Sequence, residues 1–126
     1  MEFKFPLKKI KDSLSNVVDH IKYNQNKLIW MKAASGIKTT DTRPKLVSKQ
    51  IEVAGGVLTV TGMAKGAGMI RPNMATMLSY VFTDAIIDKD TLDKITARLV
   101  NGSFNRITID GDTSTNDAAM SVSYTH

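Results

Sequence analysis

Hydrophobic residues recur at helical spacing in three parts of the chain. Between residues 6 and 22 they fall three or four positions apart, and Pro6 suits the first turn of a helix. A second helix is predicted over 27–35, with Gly36 placed to end it, and a third over 90–101. The apolar stripe of the first helix consists of Leu7, Ile10, Leu14, Val17, Val18 and Ile21.

Strands are predicted between and after these helices. Residues 46–53 roughly alternate apolar and polar positions, and Gly55-Gly56 indicates a hairpin turn into a second strand over 57–62. Residues 63–75 have the composition of a loop. The apolar run MLSYVF at 77–82 favours a buried strand, although its periodicity alone leaves a helix open. Further strands are predicted for RITID at 106–110 and near the half-apolar SVSYTH at 121–126.

Length and composition describe a small globular chain. Its 126 residues suit one small domain or part of a larger one, and a hydrophobic content of 42% supports a packed core. The absence of cysteine excludes disulfides, thiolate metal sites and a cysteine nucleophile, and it fits a reducing compartment. No apolar run approaches the roughly 18 residues of a membrane helix, and the basic start lacks a signal core. We therefore expect a cytoplasmic protein that does not bind a membrane.

Charge is unevenly distributed along the chain. The net charge is +5; residues 1–50 hold eleven Lys/Arg against four Asp/Glu, whereas residues 51–126 hold six against eight. A basic half can attract nucleic acid, but no aromatic residues interleave with these lysines to stack on bases. A solvated helix face is the favoured interpretation, and nucleic-acid binding is not predicted.

The segment KGAGMIRPNMATML at 65–78 carries the strongest chemical signal. A threonine hydroxyl such as that of Thr76 is a weak nucleophile unless a base lies beside it. A threonine at the start of a chain has such a base in its own α-amine, whose pKa is about 7.7–8.0. In mid-sequence this requires that the peptide bond before the threonine be cut. The hydroxyl can do so by attacking the preceding carbonyl, if the backbone is bent and donors stabilise the oxyanion.

The neighbours of Thr76 suit that chemistry. Ala75 is small, and the glycines at 66 and 68 allow backbone N–H groups to approach an oxyanion. Lys65 adds a positive charge that can meet a carboxylate. An ordinary glycine-rich turn, with methionines filling the core, explains the same composition, and from composition alone we favour that turn.

Four blocks of sequence together resemble the ornithine acetyltransferase family, which is also called bifunctional glutamate N-acetyltransferase/amino-acid acetyltransferase. The resemblance covers nearly all of residues 30–120, and its blocks follow the family's order and spacing. They are TTDT at 39–42, GMAKGAGMIRPNMATML at 62–78, SFN at 103–105 and ITIDGDTSTND at 107–117.

The resemblance implies a fold and an activity. The fold is an α/β sandwich with sheets covered by helices, related in layout to the N-terminal-nucleophile hydrolases. Residues 1–126 would form part of that domain. Self-cleavage between Ala75 and Thr76 would separate 1–75, the end of an α segment, from 76–126, the start of a β segment. The activity is acetyl transfer from N-acetylornithine to glutamate in arginine biosynthesis, through an acetyl-threonine intermediate.

The resemblance also implies residue roles and partners. Thr76 matches the nucleophile and a substrate-binding residue, Lys65 matches a substrate-binding lysine, and Thr39 matches a substrate-binding threonine. No metal or cofactor is implied, with acetyl-CoA as an alternative acetyl donor in some members. The α and β fragments associate, as a heterotetramer of two α and two β in the full-length family. The block at 111–117 belongs to the surroundings of the site.

The chain departs from the family in length. The family's oxyanion threonine-glycine pair lies upstream of the matched region, and further substrate-binding residues lie downstream, so we expect this chain to be an incomplete domain. Two other interpretations stay open. One is a truncated, non-catalytic family remnant that folds only with other pieces. The other is an N-terminal-nucleophile amidohydrolase that passes the acyl group to water.

Overall fold

A computed structural model of the chain describes residues 7–23, 26–68, 77–109, 111 and 118–123. Contacts divide the chain into two compact units, Met1–Trp30 and Met31–His126. The first unit contains a long helix, and the second contains a sheet with one helix against it. No helix in the described part of the chain has the length and apolar character needed to cross a membrane.

The first two predicted helices are confirmed. Helix α1 spans Leu7–Tyr23, and α2 spans Lys27–Gly36, ending at the predicted glycine. Asn26 caps α2, because its side-chain Oδ1 accepts the backbone N–H of Ile29 at 3.1 Å. The described apolar side chains of the α1 stripe, residues 7 to 18, remain 42–60% exposed. The spacing of apolar residues therefore predicted α1, but the described side chains of its apolar stripe are not buried.

Strands β1 (Lys45–Val53) and β2 (Gly56–Lys65) form the predicted hairpin. Val53 pairs with Gly56, so the connecting residues are Ala54 and Gly55, one position earlier than predicted. Gly55 has a φ of 111°, a conformation that glycine adopts without strain. The prediction that β2 stops at residue 62 was wrong. It continues to Lys65 because its last residues pair with β1 on one side and with β3 on the other.

The segment at 77–82 is a strand, as favoured, and not a helix. Strand β3 (Leu78–Thr83) pairs antiparallel with β2, and β4 (Ala118–Ser123) pairs parallel with β3, which gives the order β1-β2-β3-β4. Helix α3 (Lys89–Gly102) lies between β3 and β4 in the chain. Asp88 caps its N-terminus, because the Asp88 carboxylate accepts the N–H of Thr91 at 2.9 Å. The four strands and α3 therefore form an α/β unit around one mixed sheet.

The prediction of a strand at 106–110 was wrong for residues 106–109, and Asp110 lies outside the described residues. Helix α3 leads into a 3₁₀ turn over Phe104–Arg106, and the N–H of Ile107 donates back to the carbonyl of Phe104 at 3.1 Å. Backbone groups used in that turn cannot also join a ladder. Ile109 forms an isolated β-bridge rather than part of a strand, and its side chain is 41% exposed.

The two faces of the sheet differ in their surroundings. Paired residues on neighbouring strands share a face. On the α3 face, the Ser123 hydroxyl donates to the carbonyl of Ile87 at 3.1 Å, immediately before α3. Phe104 and Val47 both line a groove of ≈ 410 Å³ on this face. The opposite face, which we call the Tyr80 face, carries Met63, Tyr80, Phe82, Met120 and Val122.

Candidate functional site

The strand ends next to three of the four sequence blocks lie at one end of the sheet. Strand β2 ends at Lys65, which pairs with Leu78, the first residue of β3; Leu78 in turn pairs with Ala118, the first residue of β4. Strand β1 begins at this same end, because Lys45 pairs with Ala64. We call this edge the converging end.

Three of the family-like blocks adjoin the converging end in the sequence. The TTDT block at 39–42 precedes β1, the segment 66–76 links β2 to β3, and the block at 111–117 precedes β4. Segments far apart in sequence are thus brought together by strand pairing. The fourth block, SFN, lies elsewhere: it forms the 3₁₀ turn after α3, where Phe104 faces the groove on the α3 face.

A buried carboxylate joins two of these segments. Oδ1 of Asp41 accepts a hydrogen bond from the Lys45 ammonium and another from the N–H of Gly66, the second at 2.9 Å. The same ammonium donates to the carbonyl of Gly66, also at 2.9 Å. The Asp41 side chain has an exposed fraction of 0%, whereas that of Lys45 is 52% exposed. A carboxylate removed from water needs such donors. Two of the three bonds join the segment after Thr39 to Gly66, the residue after Lys65.

The same contacts set the charge state of Asp41. Its pKa lies below the ordinary value of 3.8, chiefly because the Lys45 ammonium donates to the carboxylate. The N–H of Gly66 lowers the pKa further, whereas burial of the carboxyl acts in the opposite direction. Asp41 is therefore ionised at neutral pH and neutralises Lys45.

Two of the predicted site residues lie in described parts of the chain. Lys65 is half-buried at the last position of β2, and Thr39 is exposed in the bend between α2 and β1. The hydrogen bond between Asp41 and Gly66 brings their two segments together. Ala75 and Thr76, the predicted cleavage site and nucleophile, lie outside the described residues.

The residue that follows Thr76 in the sequence is firmly held. Met77 is 8% exposed, and its carbonyl accepts the N–H of Ala118 at 3.2 Å. The next residue, Leu78, is paired on both sides. Strand β3 thus starts from a fixed point directly beside the end of the strand that carries Lys65.

Lys65, at the converging end, takes no part in the ion pairs of the described region. The ion pairs formed among described residues are Asp41–Lys45 and Lys89–Asp93. Lys65 consequently has no carboxylate partner in that set, and its ammonium can meet an anionic group of a ligand. The described residues contain no cluster of three or more side chains suited to hold a metal ion.

Sequence reasoning missed Asp41, Lys45 and the backbone of Gly66 as parts of this region. The spacing of Asp41 and Lys45 is that of a helical ion pair, but Pro44 lies between them in a turn. Their partner Gly66 is more than twenty residues away, so no local pattern signals the contact.

Known proteins match this chain over nearly its whole length. A model of the ArgJ family matches residues 2–125. The chain is 53% identical over 115 residues to the arginine biosynthesis bifunctional protein ArgJ of Pseudomonas fluorescens (strain Pf0-1), a match that covers 91% of this chain and 27% of that protein. It is 60% identical over 91 residues to the protein of the same name from Psychrobacter arcticus, covering 72% of this chain and 22% of that one.

A third relative gives a similar result. The arginine biosynthesis bifunctional protein ArgJ of Methylococcus capsulatus is 51% identical over 115 residues, with 91% of this chain and 27% of that protein covered. The chain thus spans about a quarter of the length of the curated relatives it matches. With identities this high over most of its residues, and with a family model that matches it nearly from end to end, this chain belongs to the ArgJ family.

Proposed function

We propose that this chain contributes to acetyl transfer from N-acetylornithine to glutamate in arginine biosynthesis, as part of the longer protein that its relatives represent. Thr76 is the nucleophile in this proposal, freed by cleavage of the Ala75–Thr76 bond. The observation that carries the proposal is the pairing of Lys65 with Leu78 and of Leu78 with Ala118. This register brings the strand ends next to three of the family-like blocks to one end of the sheet.

Cleavage and transfer use the same hydroxyl in turn. The Thr76 hydroxyl attacks the carbonyl of Ala75, the C–N bond breaks, and the acyl group moves from nitrogen to oxygen. Water hydrolyses the resulting ester, which leaves a carboxylate on Ala75 and a free amine on Thr76. That amine accepts the hydroxyl proton when Thr76 attacks the acetyl group of N-acetylornithine, and ornithine leaves with a proton. The amine of glutamate then takes the acetyl group. No cofactor is required, and acetyl-CoA is an alternative donor.

Two further residues have binding roles in the proposal. Lys65 pairs with the carboxylate of the amino-acid substrate, and Thr39 hydrogen-bonds to the substrate from the neighbouring segment. The half-buried position of Lys65, without a carboxylate partner among the described residues, supports this role. The Asp41–Gly66 hydrogen bond supports a site that both segments share.

Cleavage would not release the two pieces. Strand β2 lies in residues 1–75 and β3 lies in 76–126, and their antiparallel ladder runs from Val60–Thr83 to Lys65–Leu78. The pieces therefore remain in one sheet, which supports the association of α and β segments. Assembly of two α and two β in the cytoplasm belongs to the proposal for the complete protein. A sandwich layout like that of the N-terminal-nucleophile hydrolases would cover the Tyr80 face, where Met120 and Val122 are each 50% exposed.

Intact-mass measurement during incubation tests the cleavage. We expect the 126-residue chain to give residues 1–75 and 76–126, and Thr76→Ala to abolish the reaction. Thr76→Ser keeps a hydroxyl and should retain slow cleavage, while Thr96→Ala, which removes a hydroxyl on α3, should cleave normally. If the wild-type chain stays intact, self-cleavage of this chain is wrong.

Incubation of the cleaved chain with N-acetylornithine tests the transfer. We expect one acetyl group on the 76–126 piece and the release of N-acetylglutamate only after glutamate is added. Steady production of ornithine and acetate without glutamate would instead identify a hydrolase. Cleaved protein that takes up no acetyl group would favour a family remnant that needs further polypeptide for activity.

A further inference from the structure

The Asp41–Lys45–Gly66 contacts have no part in the steps of the proposed reaction, yet they join the segments that carry two proposed substrate-binding residues. We infer that Asp41 is a positioning residue, which through Lys45 and Gly66 fixes the segment that carries Thr39 against the end of the strand that carries Lys65. Its effect on activity rests on the proposed function, but the positioning itself can be measured without any reaction.

The contacts fix backbone orientation as well as distance. The N–H of Gly66 belongs to the peptide unit that joins it to Lys65, and the carbonyl of Gly66 belongs to the next peptide unit. Asp41 accepts from the first at 2.9 Å, and Lys45 donates to the second at 2.9 Å. Two consecutive peptide planes directly after Lys65 are thus held by one pair of side chains, and these planes begin the segment that leads to Thr76.

The local conformation of Gly66 makes this constraint specific. Gly66 is buried, and its φ of 145° lies in a region that residues with a Cβ rarely adopt. Such a conformation persists where surrounding contacts determine it. The N–H that Gly66 donates to Asp41 and the Lys45 ammonium that donates to the Gly66 carbonyl supply those contacts, so the chain leaves β2 in a defined direction.

Burial distinguishes this ion pair from an ordinary surface pair. The Asp41 side chain is fully buried, so water cannot replace its donors. The pair Lys89–Asp93 on α3 has the same four-residue spacing, but its side chains are 84% and 62% exposed. Asp93→Asn is therefore a matched control, which removes the same charge from the same type of pair where nothing is positioned.

The experiment measures amide exchange by NMR in the ¹⁵N-labelled full chain, with the free energy of unfolding measured in parallel by urea denaturation. The variants are Asp41→Asn, Lys45→Met, Lys45→Arg and Asp93→Asn. After correction for global stability, we expect the Gly66 amide to exchange at least about tenfold faster in Asp41→Asn, because it loses a charged acceptor. Lys45→Arg should restore most of the protection that Lys45→Met loses, and Asp93→Asn should leave Gly66 unchanged.

Cleavage at Ala75–Thr76 is followed in the same samples. We expect about a tenfold or greater slowing in Asp41→Asn that exceeds the effect of any equally destabilising variant, with recovery in Lys45→Arg. Unchanged Gly66 exchange in Asp41→Asn and Lys45→Met overturns the inference, and so does unchanged cleavage despite faster exchange.

If the wild-type chain does not cleave, the proposed function of this chain fails, and Gly66 exchange alone decides whether Asp41 positions the segment. Should Asp41→Asn fail to fold, Lys45→Met decides, since it removes the ammonium that donates both to the Asp41 carboxylate and to the Gly66 carbonyl. Faster exchange at Gly66 in that variant supports the inference, and wild-type exchange contradicts it.

Discussion

Two methionines flank Tyr80 in neighbouring strands and differ in burial. Met63 on β2 and Met120 on β4 both pair with Tyr80, and all three side chains share the Tyr80 face. Met63 is 7% exposed, whereas Met120 is 50% exposed. Truncation of each to alanine therefore removes the same atoms from two environments that differ in contact with water.

The expected losses follow from that difference. Truncation of a fully buried methionine to alanine costs about 2–5 kcal/mol, the sum of lost transfer free energy and the cavity left behind. Met63→Ala should fall in that range. Met120 withdraws only about half of its surface from water and leaves no enclosed cavity, so Met120→Ala should cost about half as much or less. For a small domain with about 5–15 kcal/mol of stability, the difference is readily measured.

Urea denaturation of the two variants and the wild type, followed by circular dichroism, provides the assay. The change in midpoint gives the loss of stability, provided the dependence of the unfolding free energy on urea stays the same. If Met63→Ala does not fold, Met63→Leu keeps the volume and should cost less than about 1.5 kcal/mol. Equal losses for the two alanine variants would refute the reasoning, because they would mean that Met120 is covered as fully as Met63.

Three further predictions concern the backbone and its charges. Asp41 has a lowered pKa in the folded state, so its contribution to stability is complete above the ordinary value of 3.8 and is lost as pH falls through the lower folded value. The stability difference between wild type and Asp41→Asn should therefore be constant near neutral pH and shrink in acid, as urea midpoints at several pH values would show. A difference that grows in acid would contradict this. Gly66→Ala should lose about 1–3 kcal/mol because of its positive φ, whereas Gly102→Ala, where an added Cβ meets open space, should be neutral by thermal unfolding. Asp88→Ala should speed amide exchange at Thr91 at the start of α3, and Asp88→Ser should preserve its protection; exchange that is the same in both variants would show that the cap does not hold this turn.

Local patterns were enough to predict most of the elements. The three- and four-residue spacing in α1, the glycine at the end of α2 and the paired glycines before β2 each act within a few residues, so they can be read directly from the sequence. The strand prediction at 106–110 failed because it, too, rested on a local pattern alone. Its alternation is that of a strand, but the end of α3 draws its first residue into a 3₁₀ turn.

Local patterns could not predict the pairing of strands that are distant in sequence. Nothing in the sequence near β2 indicates that it continues to Lys65, because its last residues are held by a strand that begins thirteen positions later, at Leu78. The parallel pairing of β4 with β3 likewise depends on a connection that passes through α3. Such contacts are decided when the whole sheet forms.

The sequence by itself determined the family, because the identity and order of residues can be matched to relatives without any knowledge of the fold. Only the tertiary structure decided that Lys65, Leu78 and Ala118 lie side by side, and that a buried Asp41 holds Gly66. The physical reason is that strand register and burial depend on groups distant in sequence. A carboxylate loses its water, and therefore needs fixed donors, only when the chain around it has packed.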